Sequence, residues 1–354
     1  RFLTCNISKF EDIVWMTKDV LAWCSGIFIV FFNVNKRKQS FYWCWNHDTG
    51  EGARCLSAHM TLSVFAFAEK IIQPRILVFS YPSMSKIAEC TGGCASGYLT
   101  TAFAPGDHLI SIGSYPLFMM TIWNWRTGEK IASVNTFIRD EVGQILKITR
   151  IGPTVVGQLG RTCGQLYTWE VDIAGKVAIV KGKSAFCFLS NPRTSSWRRE
   201  WYMKSETKPY ILVTHPLENR FFYSTLEGYL MQVNFTEDDA APSVLNVLNY
   251  GASYRFVDFI YPWCHHLVVM CDAKNELIVV ECYEGKPLSS IDPEIESEIT
   301  CQVSHPDFPL VVLGTENGEV VFVTFTEPIE PRIVARLRLQ RTPIDLIKFS
   351  NTGR

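Results

Sequence analysis

Short runs of apolar residues recur along the chain, and in each recurrence a turn containing Gly or Asn separates two runs. The clearest copy covers residues 309–325, in which two β-branched runs flank Glu316-Asn317-Gly318. Asn-Gly between two such runs is a strong signal for a β-hairpin. No segment keeps a period of about 3.6 residues over three turns, so helices are not expected. The pattern predicts an all-β chain built from hairpins.

The hairpin pattern repeats at a nearly constant interval. Its seven copies are marked by Gly26, Pro74, Met119, Gly164, Gly228, Asn275 and Gly318. Most of these landmarks lie about 43 to 48 residues apart, close to the roughly 40 to 45 residues of a WD repeat. Residues 26–32 and 75–81 are expected to be the third strands of their units. Because radial closure protects sheet edges, we predict a WD40-type β-propeller of about seven degenerate four-stranded blades over residues 1–340.

Two segments depart from the regular interval. Residues 341–354 begin with an apolar pattern that predicts the first strand of a further blade, which either closes this ring or starts a second propeller. About 64 residues separate Gly164 from Gly228, and the excess falls at residues 181–208. Inserted loops of propellers often contact partners, although a tolerated loop without contacts is the alternative.

The predicted insertion carries a basic and aromatic cluster, which is the candidate partner-contact loop: Arg193, Trp197, Arg198, Arg199, Trp201 and Tyr202. Such interleaving can stack on nucleic acid. The chain has 34 basic and 35 acidic residues and a formal net charge of -1, so no wide basic surface supports that use. We therefore expect no nucleic-acid partner and favour docking on an acidic protein surface, such as a tubulin lattice or a motor subunit.

The composition indicates a folded chain without a membrane span. The 354 residues are 47% hydrophobic and 13% aromatic, enough for a large core. The most apolar stretch, residues 21–34, is too short for a membrane helix of roughly 20 residues, so we expect a soluble protein without a membrane partner. Twelve cysteines lie mostly in apolar runs, where reduced, buried thiols are expected. A first residue other than Met is typical of a piece of a longer protein.

Candidate chemistry is sparse. Cys264, His265, His266 and Cys271 lie along one predicted strand, whose alternate side chains face opposite sides, so they are not expected to converge on zinc. Cys90 and Cys94 have suitable spacing but no second pair nearby, and the glycine-rich residues 91–97 lack a P-loop ending and predict a linker between blades. We predict no catalytic residue, metal or cofactor, and a protein that is not an enzyme.

Two further patterns point to architecture. His215 and His305 each precede Pro at the same place in their repeats, which predicts that they pack under a turn. Trp123-Asn124 and Trp169-Glu170 stand where this repeat class carries Trp-Asp. The missing Asp removes part of a structural hydrogen-bond network. These blades are therefore expected to depend more on apolar packing.

One stretch carries a resemblance to a known family. Residues 102–128, with Thr121-Ile122-Trp123-Asn124-Trp125, and residues 76–82, with Val78-Phe79-Ser80-Tyr81-Pro82, resemble the WD-repeat cilia- and flagella-associated proteins of the 43 and 44 type. The resemblance extends over roughly residues 57–171. Members of that family are large axonemal proteins with N-terminal tandem propellers and a C-terminal coiled coil. They form the tether and tether-head of an inner dynein arm.

The resemblance implies a non-catalytic structural scaffold in the axoneme of a cilium or flagellum, a cytoskeletal structure of the cytoplasm. Its partners would be the paired tether WD-repeat protein, inner-arm dynein heavy chains and proteins of the doublet microtubule. It would hold the motor region of the dynein against that doublet, and no catalytic residue is carried over. The alternative is a general WD-repeat adaptor in intracellular trafficking or in ubiquitin-ligase complexes.

Overall fold

The computed structural model of the chain describes residues 13–44, 52–141, 144–148, 154–160, 165–174, 177–185, 209–214, 220–225, 229–234, 243–247, 254–260, 264–272 and 274–350. Within these ranges the chain forms 28 β-strands and no helix. The strands form seven four-stranded sheets, each built from four consecutive strands with neighbours in sequence order. The all-β prediction is confirmed.

The first three sheets lie in one compact unit of the chain, together with most of the fourth. Their strands are β1 (Val14–Thr17), β2 (Val20–Ser25), β3 (Phe28–Asn33), β4 (Lys38–Trp43), β5 (Ala53–Ala58), β6 (Val64–Glu69), β7 (Ile76–Ser80), β8 (Lys86–Cys90), β9 (Tyr98–Ala104), β10 (His108–Gly113), β11 (Met119–Asn124) and β12 (Lys130–Asn135). The fourth sheet contains β13 (Gln144–Ile148), β14 (Thr154–Gly160), β15 (Gln165–Ala174) and β16 (Val177–Ala185). The predicted third strands are confirmed as β3 and β7.

The last three sheets lie in the second compact unit. Their strands are β17 (Pro209–Thr214), β18 (Arg220–Thr225), β19 (Tyr229–Asn234), β20 (Ser243–Val247), β21 (Tyr254–Ile260), β22 (Cys264–Asp272), β23 (Leu277–Glu281), β24 (Pro287–Ile291), β25 (Ile299–Ser304), β26 (Leu310–Thr315), β27 (Glu319–Thr324) and β28 (Arg332–Arg338). Every described strand pair in the chain whose register is defined is antiparallel, as hairpin connections require.

The hairpin predicted at Asn317-Gly318 joins β26 to β27. Gly318 has φ +82°, a conformation that L side chains rarely adopt, and its backbone lies against the carbonyl of Gln340. Thr315 fixes the start of the turn because its Oγ1 accepts the Glu319 N–H at 2.9 Å. Both faces of the hairpin are buried, since Val311 and Val321 belong to one apolar cluster and Val312 and Val320 to another. The local turn chemistry and the apolar runs therefore specify the same hairpin.

Cores form where neighbouring sheets face one another. Phe31 of the first sheet meets Phe65 of the second at 5.4 Å between ring centroids. Phe67 and Phe79 stack beside this pair, and all four rings are buried. In the second unit, an aliphatic core that includes Val269, Leu277, Val279, Val311 and Val321 joins the sixth and seventh sheets. Burying one such side chain contributes roughly 1.5–3 kcal/mol, so face-to-face packing of sheets is a main stabilising force.

Two predicted linking segments have different outcomes. Residues 91–97 connect β8 to β9 between two sheets, as the glycine-rich sequence predicted. A side chain at Gly93 would collide with the indole of Trp123, so the close approach itself requires glycine there. Of the predicted insertion at 181–208, residues 181–185 are the end of β16, and residues 186–208 lie outside the described part of the chain.

Residues 341–350 pack on the seventh sheet but form no strand. The Ile344 N–H donates to Thr315 O at 3.0 Å, and the Thr300 Oγ1 donates to Ile344 O at 2.6 Å. Ile344, Ile347 and Phe349 join an apolar cluster with β25, β26 and β27. The segment therefore lies against the seventh sheet through side-chain packing and single hydrogen bonds, and its role as the first strand of a further blade stays a prediction.

Candidate interaction surface

The six residues of the predicted contact loop, Arg193, Trp197, Arg198, Arg199, Trp201 and Tyr202, lie outside the described residues. Within the described ranges, no group of three or more His, Cys, Asp or Glu side chains could hold a metal ion. The same ranges contain no helix long and apolar enough to cross a membrane. Cys264, His265, His266 and Cys271 lie along the single strand β22, as predicted.

Buried thiols of the described sheets are poor nucleophiles. Burial raises the pKa of Cys44, Cys90 and Cys271 to about 12 in each case. Burial also raises the pKa of Cys301 to about 11. A thiol must ionise to attack an electrophile or bind a metal, so these four thiols are unreactive near neutral pH. Cys90, Cys271 and Cys301 serve as small apolar core residues, and the half-buried Cys44 packs against the core.

Histidine has an architectural role in two sheets. The Nδ1 of His305 accepts the N–H groups of Asp307 and Phe308 at 2.9 and 3.0 Å, which places the ring under the β25–β26 turn, as predicted. His215, for which the same packing was predicted, lies outside the described residues. His59 makes the same contacts in the β5–β6 turn, where its Nδ1 accepts from Thr61 and Leu62 at 3.2 and 3.1 Å. His59 lacks a following Pro, so the His-Pro signal missed it.

The two tryptophans of the degenerate Trp-Asp positions keep hydrogen bonds from their indoles. The Nε1 of Trp123 donates to Ser111 Oγ at 2.8 Å, and the Nε1 of Trp169 donates to Gln158 Oε1 at 3.0 Å. Gln158 donates in turn to Gln144 Oε1 at 2.8 Å. Both indoles are buried, so these blades combine apolar packing with local polar networks. The sequence alone did not indicate the glutamine pair.

An exposed aromatic cluster lies at the outer edge of the first sheet, and we call it the aromatic edge: Phe28, Phe41 and Trp43. The Phe28 ring centroid lies 6.0 Å from that of Phe41 and 6.1 Å from that of Trp43. Phe41 is 61% exposed and Trp43 is 57% exposed. Alternation along the strand brings both side chains to the same side of the sheet, where they join Phe28 of β3. Contiguous apolar surface of this kind commonly marks an interaction site.

On the opposite side of the same strand, Tyr42 is half-buried. Tyr42 lies 5.1 Å from Phe79 and 6.2 Å from Phe67 between ring centroids, so it packs on the second sheet. The alternation of β4 therefore divides it into a side that holds the fold together and a side that carries the aromatic edge. Tyr42 thus attaches β4 to the second sheet on one side, while Phe41 and Trp43 are exposed on the other.

Positive charge lies at one end of this edge. Lys36 and Arg37 lie in the β3–β4 turn, Lys38 is the first residue of β4, and all three are exposed. The turn is fixed because the Lys36 N–H donates to Asn33 Oδ1 at 2.8 Å. We call these three residues the basic tip. Lys38 lies three residues from Phe41, about 10 Å along an extended strand, and alternation places its side chain on the opposite side of the sheet from the aromatic edge.

Sequence comparison finds similarity to cilia- and flagella-associated proteins. No family model matches the chain. Cilia- and flagella-associated protein 44 of Mus musculus is 26% identical over 178 residues, which cover 48% of this chain and 9% of that protein. The chain is homologous to cilia- and flagella-associated proteins 43 and 44. Protein 43 of Xenopus laevis is 30% identical over 35% of this chain, and protein 44 of Chlamydomonas reinhardtii is 29% identical over 44%. The alignments span less than a tenth of these relatives, 7% and 9% respectively.

Solved structures show the fold class. The computationally designed Ika8 protein has a TM-score of 0.62 and 11% identity, with 97% of this chain and 92% of that chain covered. BamB from Moraxella catarrhalis has a TM-score of 0.56 and 12% identity, covering 94% and 90%. The WD40 repeats of RRP9 give a TM-score of 0.52 and 12% identity, covering 100% and 86%. The repeated four-stranded sheets and these neighbours confirm a WD40-type β-propeller.

Proposed function

We propose that this chain is a non-catalytic, protein-binding scaffold of the ciliary or flagellar axoneme. The observation that carries the proposal is its homology to cilia- and flagella-associated proteins from hosts as distant as mouse, Chlamydomonas and Trypanosoma. These organisms are distantly related, and the common name of their proteins supports a role in the cilium or flagellum. The propeller fold supports binding rather than catalysis, because it presents many loops and strand edges on rigid sheets.

The described part of the chain supports the scaffold role on physical grounds. Its buried thiols have raised pKa values, and the histidines His59 and His305 accept hydrogen bonds from turns. The side chains that are most reactive in other proteins therefore serve packing in these sheets. The aromatic edge, in contrast, exposes large rings that protein interfaces favour.

The finer proposal is that the chain tethers the motor region of an inner dynein arm to the doublet microtubule. It would do so beside a second WD-repeat tether protein, with inner-arm dynein heavy chains and doublet microtubule proteins as the other partners. A rigid propeller suits this task, since a tether must hold its partners at a fixed separation while force is applied.

The test removes the protein from a ciliated cell and extracts isolated axonemes with increasing salt. Salt weakens exposed electrostatic contacts, so a dynein that has lost a tether should leave the axoneme at a lower concentration. We expect inner-arm dynein heavy chains to be released earlier and outer-arm chains, the matched control, to be released as before. Equal release of the inner-arm chains, together with an unchanged beat, would exclude the tether.

A further inference from the structure

The turn between β10 and β11 of the third sheet is apolar where the equivalent turns of other sheets are polar. In the sixth and seventh sheets, the turn between the second and third strands is Lys-Asn-Glu at 274–276 and Glu-Asn-Gly at 316–318. The third sheet has Tyr115, Pro116 and Leu117 there, which we call the apolar turn. Tyr115 is 68% exposed and Leu117 is 58% exposed. Exposed apolar surface of this kind marks an interaction site.

Described segments on both sides hold the backbone of the apolar turn in place. On one side the Ser114 N–H donates to Gly97 O at 2.8 Å. On the other side the Thr136 N–H donates to Phe118 O at 3.1 Å. The flanking segments thus fix the position of the turn and leave the Tyr115 side chain exposed. A partner would meet a surface that is already ordered, which lowers the entropic cost of binding.

Two arginines flank the apolar turn. A side chain added at Gly97 would lie 3.5 Å from Arg54 Nη1 and 3.6 Å from Ser114 Oγ, so the Arg54 guanidinium lies close to the start of the turn. The Arg139 Nη1 donates to Pro116 O at 3.2 Å. Both arginines are exposed, and neither forms an ion pair with a carboxylate in the described part of the chain. An exposed positive charge therefore lies on each side of the turn.

We propose that the apolar turn docks an acidic segment of a partner protein that also carries large apolar side chains. The apolar side chains of the segment would cover Tyr115 and Leu117. Its carboxylates would pair with Arg54 and Arg139, because a guanidinium can donate two parallel hydrogen bonds to one carboxylate. Tyrosine and arginine are also the residues that interfaces favour at positions of high binding energy.

Charge complementarity selects an acidic protein segment. Glu141 is the exposed carboxylate beside the turn, and it accepts the Tyr115 N–H at 3.0 Å. The two arginines are thus not neutralised, and a basic segment would be repelled. The whole chain carries a formal net charge of -1, so the arginines are a local feature and not part of the wide basic surface that nucleic acid requires.

The inference rests on the proposed scaffold function, since it names one binding surface of that scaffold. The first experiment identifies the occupant in ciliated cells that express the full-length protein. A photo-reactive benzophenone amino acid replaces Tyr115 in one protein and Ile329 in the matched control. Ile329 is 74% exposed and lies between β27 and β28. We expect a cross-link from position 115 to a segment of another protein that carries more Asp and Glu than Lys and Arg, together with large apolar residues. Position 329 should not cross-link to that segment.

The second experiment measures the contribution of each side chain. The probe is a fluorescent synthetic peptide with the sequence of the cross-linked segment, titrated with the purified 354-residue chain by anisotropy. Leu117→Ser and Arg54→Glu should each weaken binding at least about tenfold, an effect of about 1.4 kcal/mol. Arg54→Lys keeps the charge and should weaken binding less, and Ile329→Ser should match the parent chain. Added salt should weaken binding to the parent chain more than to Arg54→Glu.

Three results would overturn the inference. The first is no cross-link from position 115, and the second is a cross-link to a neutral or basic segment, a second copy of this chain, a nucleic acid or a lipid. The third is unchanged binding by Leu117→Ser and Arg54→Glu variants whose melting temperatures match that of the parent chain. An acidic cross-link in a protein whose loss leaves dynein extraction unchanged would contradict only the tether. Earlier dynein release without such a cross-link would contradict only this inference.

Discussion

At two places in the molecule a segment packs against the preceding sheet through the same kinds of contact, but only one of the two segments is a strand. We call these places the first and the second junction. Where β9 follows the second sheet, the Cys55 Sγ donates to Tyr98 O at 3.0 Å, across 43 residues of sequence. Where residues 341–350 follow the seventh sheet, the Cys301 Sγ donates to Ile344 O at 3.2 Å, again across 43 residues. The first segment is a strand, whereas the second forms none.

Each junction also contains a contact between a histidine ring and a phenylalanine ring. The His59 ring lies 5.2 Å from the Phe103 ring at the first junction, and the His305 ring lies 4.6 Å from the Phe349 ring at the second. The two segments differ in their pairing with a following strand. Strand β9 pairs with β10 from His108↔Ala104 to Gly113↔Tyr98. The contacts with the preceding sheet are therefore alike at the two junctions, and β9 is in addition paired with β10 in its own sheet.

The largest expected effect is on the free energy of unfolding when Phe103 is replaced, and it should exceed the effect of replacing Phe349. Phe103 is 6% exposed and also lies 6.0 Å from Trp125, so Phe103→Ala should lower the free energy of unfolding by about 3–5 kcal/mol. Phe349 is only half-buried, so Phe349→Ala should cost clearly less. Urea denaturation of both variants measures the difference. An equal loss at the two positions would show that residues 341–350 are as firmly integrated as β9.

The next effect concerns the hydrogen bonds that hold residue 344. Thr300 Oγ1 is near Ile344 O at 2.6 Å and Gly314 O at 3.1 Å. Thr300→Val keeps the shape of the side chain and removes the donor, so we expect a loss of about 1 kcal/mol. Hydrogen exchange should become faster in residues 341–350 and stay unchanged in β9. Unchanged protection in residues 341–350 would mean that apolar packing alone holds the segment.

A third prediction concerns the thiol beneath the segment. Burial raises the pKa of Cys301 to about 11, and Ile344 belongs to the cluster that covers it. Removing residues 341–354 should expose this thiol, lower its pKa toward the usual value and speed its modification by a maleimide at pH 8. Cys90, at the second sheet, is the internal control and should stay slow. Peptide mapping after timed labelling would compare them, and equally slow labelling of Cys301 would contradict the role given to the segment.

The smallest effect is a pH dependence at the first junction. Burial, and then the positive charge of Arg126, lower the pKa of His59 below its usual 6.5. Folding therefore disfavours protonation, so this contribution is complete above about pH 6.5 and declines as the pH falls through the lowered folded-state pKa. The Nδ1 of His59 must also stay unprotonated to accept from Thr61 and Leu62.

Replacement by Asn tests this pH dependence. The His59→Asn variant keeps a side-chain acceptor that does not titrate, so its melting temperature should fall less between pH 7 and pH 5 than that of the parent chain. Circular dichroism melts at several pH values provide the measurement. Parallel curves for the two proteins would show that His59 does not contribute to acid sensitivity.

The sequence predicted the fold well because hairpin signals are local. Asn317-Gly318 and the flanking valines determine β26 and β27 with little help from distant residues. The aromatic edge could not be predicted in this way. Phe41, Tyr42 and Trp43 are adjacent aromatic residues of one strand, and a pattern of alternation does not state which side another sheet covers. Only the packing of Tyr42 on Phe79 distinguishes the two sides.

The candidate contact residues illustrate a second limit of sequence reasoning. The basic and aromatic composition of residues 193–202 suggested contact, but composition specifies no neighbour and no orientation. The regular register of β3 and β4 is informative because it depends on pairings between strands. The register shifts in the outer pairs of the second, third, fifth, sixth and seventh sheets have no simple sequence signal, so this contrast with the first sheet appears only in three dimensions.

The most direct test of the scaffold proposal is the location of the full-length protein under its own promoter in ciliated or flagellated cells. A fluorescent tag is imaged before and after detergent removes the membrane and the soluble matrix. The account predicts a signal along the axoneme that survives extraction, with a free fluorescent protein lost from the same cells. A diffuse cytosolic signal, or a ciliary signal that detergent removes, would contradict it.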